Sequence, residues 1–574
     1  MTQPMMSVAT PRGEERAARH GRRLRRATAM VAVAGTAVLG LGSTTALAAP
    51  PAAPAPQAPV PPGLERFYSQ SVEWYPCAAE GGMTAGDAGA GFECATVEVP
   101  LDYEDPEGQT IEIAMKKHKA SGSPGQGALF INPGGPGGSG VSAVEGLATP
   151  GRFVSADVAA AYDVIGFDPR GVGSSTPVRC EAPGQAAAAG RSPQVSMDAQ
   201  EGPVAQPATL VEGPVVDPLV DPDVAERADP LAQLPFAALV LFLRLDTART
   251  EAACAQHTQP AELLDHVDTI SVARDLDVLR ALAGQEDLNY LGYSYGTYIG
   301  TMYADLFPEN TGRMVLDAAI DPSQGQAEND REQRLAMEAS RRVYLENCLA
   351  TEGCPLSGDV DAASEQLDAF IDGLAADPVP TADPDAPLTG RQVENAILGA
   401  LYSSEAWPVL TEGLNQAMTQ DDGSILARLG GAGEQAVVDN AGTAVNCQDY
   451  PVEGDMATWE ANFRRDRADA PHYGGQLSDA RCQAWGHNGT RAPAPVHASG
   501  AAPILVVGTT GDPITPYSAA VSLAEQLDSG QLLTWEGNGH AAYTRAGDCV
   551  NKAVDAYLLT GQMPQEGLVC TGQE

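Results

Sequence analysis

The stretch Gly292-Tyr293-Ser294-Tyr295-Gly296 limits what this 574-residue chain can fold into more than any other. It follows the short apolar run 288–291 and leads into residues 297–304, whose composition suits a helix. Glycine two residues before and two after the serine lets the backbones of a strand and a helix nearly touch. The pattern predicts a strand, a sharp turn with Ser294 at its tip, and a helix whose N-terminus points at the hydroxyl. The alternative is a glycine-rich turn with a solvent-exposed serine.

The segments around this stretch alternate between strand and helix patterns. Residues 95–100 and 110–115 alternate apolar and polar side chains, as half-buried antiparallel strands do. Continuous apolar runs, typical of parallel strands covered on both faces, follow at 128–131, 162–167, 313–317, 502–507 and 531–535. Helices are predicted at 235–253, 268–283 and 549–559. The sequence therefore predicts an α/β fold with a mostly parallel sheet and helices on both faces.

Residues 1–48 have the pattern of an export signal. Four arginines between positions 22 and 26 precede the apolar stretch 29–42, and Ala46-Leu47-Ala48 offers a small-residue cleavage site. The apolar stretch is too short and too rich in glycine for a membrane anchor. Residues 49–62 form a Pro/Ala-rich spacer. We expect a secreted, extracellular protein, exported by the general or the twin-arginine route.

Two long stretches interrupt the α/β pattern. Residues 181–235 are rich in Ala, Pro, Gly and Asp, and we interpret them as a mobile surface insertion. Between 321 and 498 the sheet pattern stops, and we interpret this region as a helical cap. Amphipathic helices are predicted within it at 334–350, 359–376, 389–402 and 406–418. Residues 63–320 and 499–574 would then be the two parts of the α/β core.

All ten cysteines lie beyond residue 48, and an even number in an exported chain indicates disulfides. Spacing alone does not give their connectivity. We expect sequence neighbours to pair, because each such pair brackets one loop or one cap segment, whereas crossed pairs would tie the cap to the core. The predicted pairs are Cys77–Cys94, Cys180–Cys254, Cys348–Cys354, Cys447–Cys482 and Cys549–Cys570.

Charge and motif content exclude several classes of partner. The formal net charge of −41 disfavours nucleic acid and anionic membrane surfaces. The chain has no Cys-x-x-Cys pair and no His-Glu-x-x-His helix, so we expect no metal. Gly135 to Gly140 matches the Gly-x-Gly-x-x-Gly pattern of dinucleotide sites, and Asp168 ends the next predicted strand. Pro136, however, lacks the N–H group that such a loop donates to pyrophosphate. We interpret the loop as a backbone oxyanion loop and expect no cofactor.

Side chains of catalytic type follow three of the predicted strands. Ser294 is the serine of the opening motif, Asp512 follows the strand at 502–507, and His540 follows the strand at 531–535. Open α/β sheets keep their sites at this carboxyl edge. The order serine, acid, histidine is that of the α/β-hydrolase fold. His540 would take the proton of Ser294, and Asp512 would hold the imidazole in the required tautomer. The sequence predicts a serine hydrolase of this fold, with a large helical cap inserted after the strand that follows the nucleophile elbow.

The motifs at 132–140, 168–173, 292–296, 508–516 and 539–540 together resemble the secreted tripeptidyl aminopeptidases of actinomycetes. These are α/β-hydrolases related to prolyl iminopeptidases. The resemblance implies Ser294 as nucleophile, Asp512 and His540 as its partners, and an oxyanion hole formed by the backbone N–H groups of Gly135 and Tyr295. It also implies release of short peptides, in particular tripeptides, from the free N-termini of peptides and proteins. Related loops turn tightly after Gly135, which predicts a cis Gly135–Pro136 bond.

A free N-terminus is a cation, so an enzyme that measures from it needs a fixed anion at a set distance from Ser294. Asp449 in the cap segment 445–450 is the candidate, since the predicted disulfide at Cys447 would hold it, and the resemblance points to the same segment. The alternative is that Asp449 is one more solvated acidic residue.

Three other functions are compatible with parts of the pattern. A carboxylesterase or lipase of the same fold would use the same triad, with a more apolar lid and no acidic anchor. A prolyl-type aminopeptidase would release single residues, although Pro133 stands where prolyl iminopeptidases carry histidine. A non-catalytic protein of this fold would have lost a member of the triad, and none is missing.

Overall fold

The computed structural model describes residues 60–572 except 88, 90, 123–124, 150, 181–234 and 432–439. The predicted export signal, most of the spacer and nearly all of the predicted insertion at 181–235 lie outside the described residues.

One ten-stranded sheet runs through the described part of the chain, in the order β1-β2-β3-β5-β4-β6-β7-β8-β9-β10. The edge from β1 to β3, and the pair β3 and β5, are antiparallel, and every other neighbouring pair is parallel. The strands are β1 Tyr75–Pro76, β2 Phe92–Pro100, β3 Thr110–His118, β4 Ala128–Asn132, β5 Asp163–Phe167, β6 Leu288–Tyr293, β7 Thr311–Asp317, β8 Ile504–Gly511, β9 Gly530–Asn538 and β10 Val569–Thr571.

Helices cover both faces of the sheet because the central strands are apolar on both faces. Along β4, Phe130 packs into the cluster of one face, whereas Leu129 and Ile131 pack into that of the other. Burying each such side chain contributes about 1.5–3 kcal/mol. The helices of the core are α1 Glu65–Tyr68, α2 Gly140–Glu145, α3 Ala156–Ala161, α4 Phe236–His257, α5 Thr269–Leu282, α6 Tyr295–Leu306, α15 Tyr517–Gln526 and α16 Asp548–Thr560.

The stretch between β7 and β8 is helical and has an apolar cluster of its own, which includes Tyr344, Leu367, Ile397 and Leu410. This cap follows the strand after the elbow, so the predicted fold class is confirmed. Its helices are α7 Gln326–Ala350, α8 Val360–Gly373, α9 Gly390–Leu401, α10 Trp407–Gln420, α11 Ser424–Gly431, α12 Asn440–Asp449, α13 Met456–Asp469 and α14 Ser478–Trp485. The domain boundaries predicted at 320/321 and 498/499 fall in loops and stay predictions.

The sequence predicts the first four cap helices but misses α11 to α14. The missed helices are short or polar. In α13, for example, only Trp459 and Asp466 are buried. Such a helix has no wide apolar stripe to reveal it. The prediction also starts α7 too late, at 334 rather than at Gln326, because the first two turns of that helix are strongly polar.

The disulfides connect sequence neighbours as predicted: Cys77–Cys94, Cys180–Cys254, Cys348–Cys354, Cys447–Cys482 and Cys549–Cys570. The fourth pair joins α12 to α14 inside the cap. Among the described residues, none of the helices combines the length and the apolar character needed to cross a membrane.

Candidate active site

The nucleophile elbow is formed by the junction of β6 and α6. Ser294 lies between them with φ 54° and ψ −124°, a backbone conformation that costs an L-residue about 1–3 kcal/mol. The flanking glycines are required sterically. A Cβ on Gly292 would lie 2.4 Å from the carbonyl oxygen of Gly296, and one on Gly296 would lie 2.8 Å from that of Asn132. The serine is therefore held at a tight strand-to-helix turn, as the opening motif predicts.

The histidine and the aspartate lie just beyond β9 and β8. Nδ1 of His540 lies 2.9 Å from Oδ1 and 3.0 Å from Oδ2 of Asp512. The same carboxylate accepts backbone N–H groups from Ile514, Thr515 and Ala541, at 2.8, 2.9 and 3.2 Å. With Nδ1–H directed at the carboxylate, Nε2 is the unprotonated ring nitrogen that can accept a proton.

Ser294 and His540 line one cavity of about 320 Å³. Its lining also contains Gly135, Tyr295 and Asp449. Asp512 lies behind His540 with 3% of its surface exposed. The structure thus brings together every residue that the sequence singled out.

The glycine loop packs directly against the elbow. A Cβ on Gly134 would lie 2.8 Å from the Ser294 Cβ, and both Gly134 and Gly135 have positive φ, 105° and 118°. The Gly135–Pro136 bond is cis, as predicted. Tyr295 is the first residue of α6, where a backbone N–H has no acceptor within the helix. The two predicted oxyanion donors therefore belong to residues on the wall of the cavity beside Ser294.

Asp449, the last residue of α12, is buried and is therefore not a solvated surface carboxylate. Only 9% of its surface is exposed. Oδ1 accepts the backbone N–H of Thr269 at 2.7 Å, and Oδ2 accepts the Thr269 hydroxyl at 2.6 Å. The same hydroxyl lies 2.5 Å from the phenolic oxygen of Tyr295. Burial raises the pKa of Asp449 to about 7. A hydrogen-bonded chain thus runs from Asp449 to the residue after the nucleophile.

Aromatic rings surround this carboxylate, and sequence reasoning missed them. Tyr298 and Tyr450 stack with ring centroids 6.3 Å apart and an angle of 8° between the planes, and both line the cavity. The negative charge of Asp449 raises the pKa of both phenols, after burial itself. Tyr450 stands next to the predicted anchor in the sequence. Tyr298 and Thr269 come from other elements, and nothing in their own sequence context marks them.

A second missed contact joins the cap to the histidine. The backbone N–H of His540 donates to the carbonyl oxygen of Tyr402 at 2.9 Å, and Ser403 forms an antiparallel bridge with Gly539. The ring of Tyr402 meets the imidazole edge-on, with centroids 5.4 Å apart. The cap segment 402–403 is therefore part of the support of His540.

No group of three or more His, Cys, Asp or Glu side chains arranged to hold a metal ion is found within the described ranges. The described site consists of a strained serine at a strand–helix turn, an aspartate-bound histidine and a glycine loop packed against that turn. This combination defines a serine hydrolase with the α/β-hydrolase fold.

Comparison with known proteins narrows this class to a family. The family model described as "TAP-like protein" matches residues 470–570. Serine protease Hip1 of Mycobacterium tuberculosis is 33% identical over 531 residues, covering 88% of this chain and 92% of Hip1. The tripeptidyl aminopeptidase of Streptomyces lividans is 29% identical over 526 residues, covering 88% of this chain and 87% of that enzyme. Carboxylesterase B of Mycobacterium tuberculosis is 33% identical over 490 residues, covering 83% and 86% of the two chains. The chain belongs to the TAP-like family of α/β-hydrolases and is a serine hydrolase.

Proposed function

We propose that this enzyme is a secreted serine exopeptidase that releases short peptides, in particular tripeptides, from the free N-termini of peptides and proteins. Export is supported by the signal-like residues 1–48 and by five disulfides, which persist in oxidising compartments. The tripeptide product is supported by the similarity to a tripeptidyl aminopeptidase.

In the proposed mechanism, Ser294 Oγ attacks the carbonyl carbon of the scissile peptide bond while His540 Nε2 takes its proton. The backbone N–H groups of Gly135 and Tyr295 stabilise the oxyanion of the tetrahedral intermediate. His540 then donates the proton to the leaving amine, which departs. The N-terminal part of the substrate remains as an ester on Ser294. Water attacks this acyl-enzyme with His540 again as base, which frees the peptide and the serine. Asp512 stays ionised and stabilises the imidazolium in both steps.

The observation that carries the exopeptidase proposal is the buried carboxylate of Asp449 in the cavity of Ser294. A buried anion is costly unless it is paired. Thr269 supplies two hydrogen bonds without a charge, and the positive charge of Arg491 offsets only part of the burial that raises the pKa of Asp449.

The ammonium group of a substrate N-terminus would supply a further positive charge beside Asp449. The rings of Tyr298 and Tyr450 give the same end of the cavity electron-rich faces, which also favour a cation. The number of residues released is then set by the distance between Asp449 and Ser294.

The test compares free and Nα-acetylated peptides of one to six residues, with product masses measured for wild type and Asp449→Asn. We expect acetylation to lower kcat/KM of the wild type about a hundredfold, because it removes the charge and leaves the anion unpaired. Asp449→Asn should lose most activity on free peptides but hydrolyse a small neutral ester as wild type does. Glu405→Gln is the matched control, because Glu405 lines the same cavity but is exposed. It should keep the preference for free peptides.

Three results would contradict the proposal. Equal losses on peptides and ester in Asp449→Asn would show that Asp449 supports the fold of the site rather than the amine. Product masses of single residues, or internal cleavage of acetylated peptides at full rate, would replace the tripeptidyl assignment by a prolyl-type or an endopeptidase one.

The second candidate is a carboxylesterase, favoured by the similarity to Carboxylesterase B. It would use the same triad, but it gives no role to the buried anion and needs no free amine. A kcat/KM for simple acyl esters far above that for every free peptide would favour it.

A further inference from the structure

Asp317 stands at the carboxyl end of β7, between the strands that carry the nucleophile and the acid. It is fully buried, with 0% of its surface exposed. Its backbone carbonyl oxygen accepts the N–H of Ser294 at 3.0 Å. This residue is therefore attached directly to the elbow, although it does not line the cavity.

The side chain of Asp317 binds the other half of the site. Its carboxylate accepts the N–H of Ala542 at 3.1 and 3.0 Å, through Oδ1 and Oδ2, and the N–H of Tyr543 at 2.8 Å. These two residues follow His540 by two and three positions. One residue thus joins the turn of the nucleophile, through its main chain, to the loop of the histidine, through its side chain.

The histidine loop needs such support because its backbone is strained. Ala541 and Thr544 have φ of 66° and 68°, in the left-handed region that non-glycine residues avoid. The N–H of Ala541 is held by Asp512, and those of Ala542 and Tyr543 are held by Asp317. Without the Asp317 carboxylate, two buried N–H groups would lose their acceptors, and the loop would relax toward a less strained backbone.

We infer that Asp317 is a positioning residue for His540: its carboxylate fixes the loop that aims the imidazole at Ser294. The inference rests on the proposed roles of Ser294 and His540, but it is independent of the peptide specificity. A purely structural carboxylate would stabilise the fold without controlling turnover.

The charge of Asp317 is also sensitive to pH. Burial raises its pKa to about 6, and the nearby charge of Asp512 acts in the same direction. The titratable groups that face it are Asp512 and His540, from the loops after β8 and β9, and Tyr293 of β6. Protonation below pH 6 would weaken its bonds to the histidine loop. The protonation of Asp317 would then add one proton to the acid limb of kcat/KM for the ester.

The experiment measures kcat, KM and the full pH profile of wild type and Asp317→Asn, on a free peptide and on a small neutral ester. The asparagine keeps the shape but places an NH₂ group against N–H donors. We expect kcat to fall about 10- to 100-fold on both substrates, with KM within about twofold of wild type. On the ester, whose hydrolysis does not depend on Asp449, the slope of log kcat/KM against pH on the acid side should be one unit lower in the variant than in wild type.

Asp277→Asn is the matched control. Asp277 is an equally buried carboxylate that binds Tyr68, Arg280 and Tyr303 in the core, outside the cavity lining. Its variant should have a lower Tm with an unchanged acid-limb slope.

Folded Asp317→Asn with kcat within threefold of wild type and an unchanged slope would overturn the inference. If the variant does not fold, the wild-type profile on the ester decides, since a single-proton acid limb contradicts the inference and a two-proton limb supports it. A loss confined to the peptide would contradict the positioning role. Equal losses on peptide and ester support it, whichever substrate class the enzyme serves.

Discussion

The carboxyl edge of the sheet and the cap contribute to the same cavity in different ways. The edge supplies Ser294, His540 and Asp512 from the ends of three strands, each fixed by backbone hydrogen bonds and by tight glycine contacts. The cap supplies Asp449 and Tyr450, at the end of α12, and contributes Tyr402 only as support for His540. The groups at the edge suit the making and breaking of an acyl bond, and those in the cap suit the selection of its substrate.

This difference predicts how the two regions respond to change. Substitutions at the sheet edge should affect every substrate alike, because in the proposed mechanism every reaction passes through the same acyl-enzyme. Substitutions in the cap should change the ratio of activities on charged and neutral substrates. The predictions below test that separation, beginning with the largest expected effect.

Ser294→Ala should lower kcat/KM about a thousandfold or more on peptides and esters alike, because it removes the attacking oxygen. The fold should persist, since the hydroxyl makes little of the core. Rates on both substrate classes, with a thermal melt as control, provide the measurement. A serine-directed phosphonyl fluoride should label wild type and not the variant. Peptidase activity in a clean preparation of the variant would show that another nucleophile acts.

The ratio of kcat/KM for a free peptide to that for a neutral ester should fall about fivefold from pH 8 to pH 6, because the peptide amine, about half protonated at pH 8 and fully protonated at pH 6, offsets part of the effect of Asp449. Asp449 has a raised pKa of about 7, so it is charged above that pH and loses its charge, and its hold on an ammonium group, below it. Taking the ratio cancels any pH dependence that both substrates share. In Asp449→Asn this ratio should not change with pH. A wild-type ratio that does not change with pH would show that Asp449 does not bind the amine.

Replacing Cys447 and Cys482 together by serine should raise KM for free peptides by up to about tenfold and leave ester hydrolysis unchanged. The disulfide joins α12, which ends at Asp449, to α14, so its loss loosens the anchor rather than the triad. The matched control replaces Cys348 and Cys354, which close a short loop at the end of α7. If both double variants behave alike, the effect comes from general loss of cap stability.

Asp449→Asn should raise Tm by a few degrees at pH 8 and by less at pH 5. Because the pKa of Asp449 is about 7 in the folded protein and about 4 in the unfolded chain, its destabilising effect begins above pH 4, grows between the two values and is complete above pH 7. Thermal melts of the unliganded protein at both pH values check this. A lower Tm at pH 8 would show that the two hydrogen bonds that Asp449 accepts from Thr269 stabilise the protein more than the burial of its charge destabilises it.

The sequence predicts the sheet edge well because its constraints are local. Gly292, Ser294 and Gly296 must lie in one pentapeptide, and Asp512 and His540 each follow a recognisable strand. The cis bond at Pro136, expected from related loops, and the disulfides between sequence neighbours, expected because each pair brackets one segment, are confirmed by the structure as well.

The contacts that the sequence does not reveal are those between distant segments. Thr269 meets Asp449 across 180 positions, and Asp317 meets Ala542 across 225. The predicted strand at 313–317 already ends at Asp317, but no local pattern shows what its carboxylate binds. The polar helices α13 and α14 are missed for a similar reason, since packing against other elements stabilises them more than their own apolar pattern does.

The bridge between Ser403 and Gly539 limits how enzymes of this architecture can be re-engineered. If the cap only covered the cavity, it could be replaced by the cap of another enzyme, joined to the core at the same two points of the chain. Here the exchanged segment would also have to supply the carbonyl oxygen that receives the His540 N–H, and a ring against the imidazole. A chimera that keeps residues 402–403 and replaces the helices around them is the design that preserves turnover while changing selectivity.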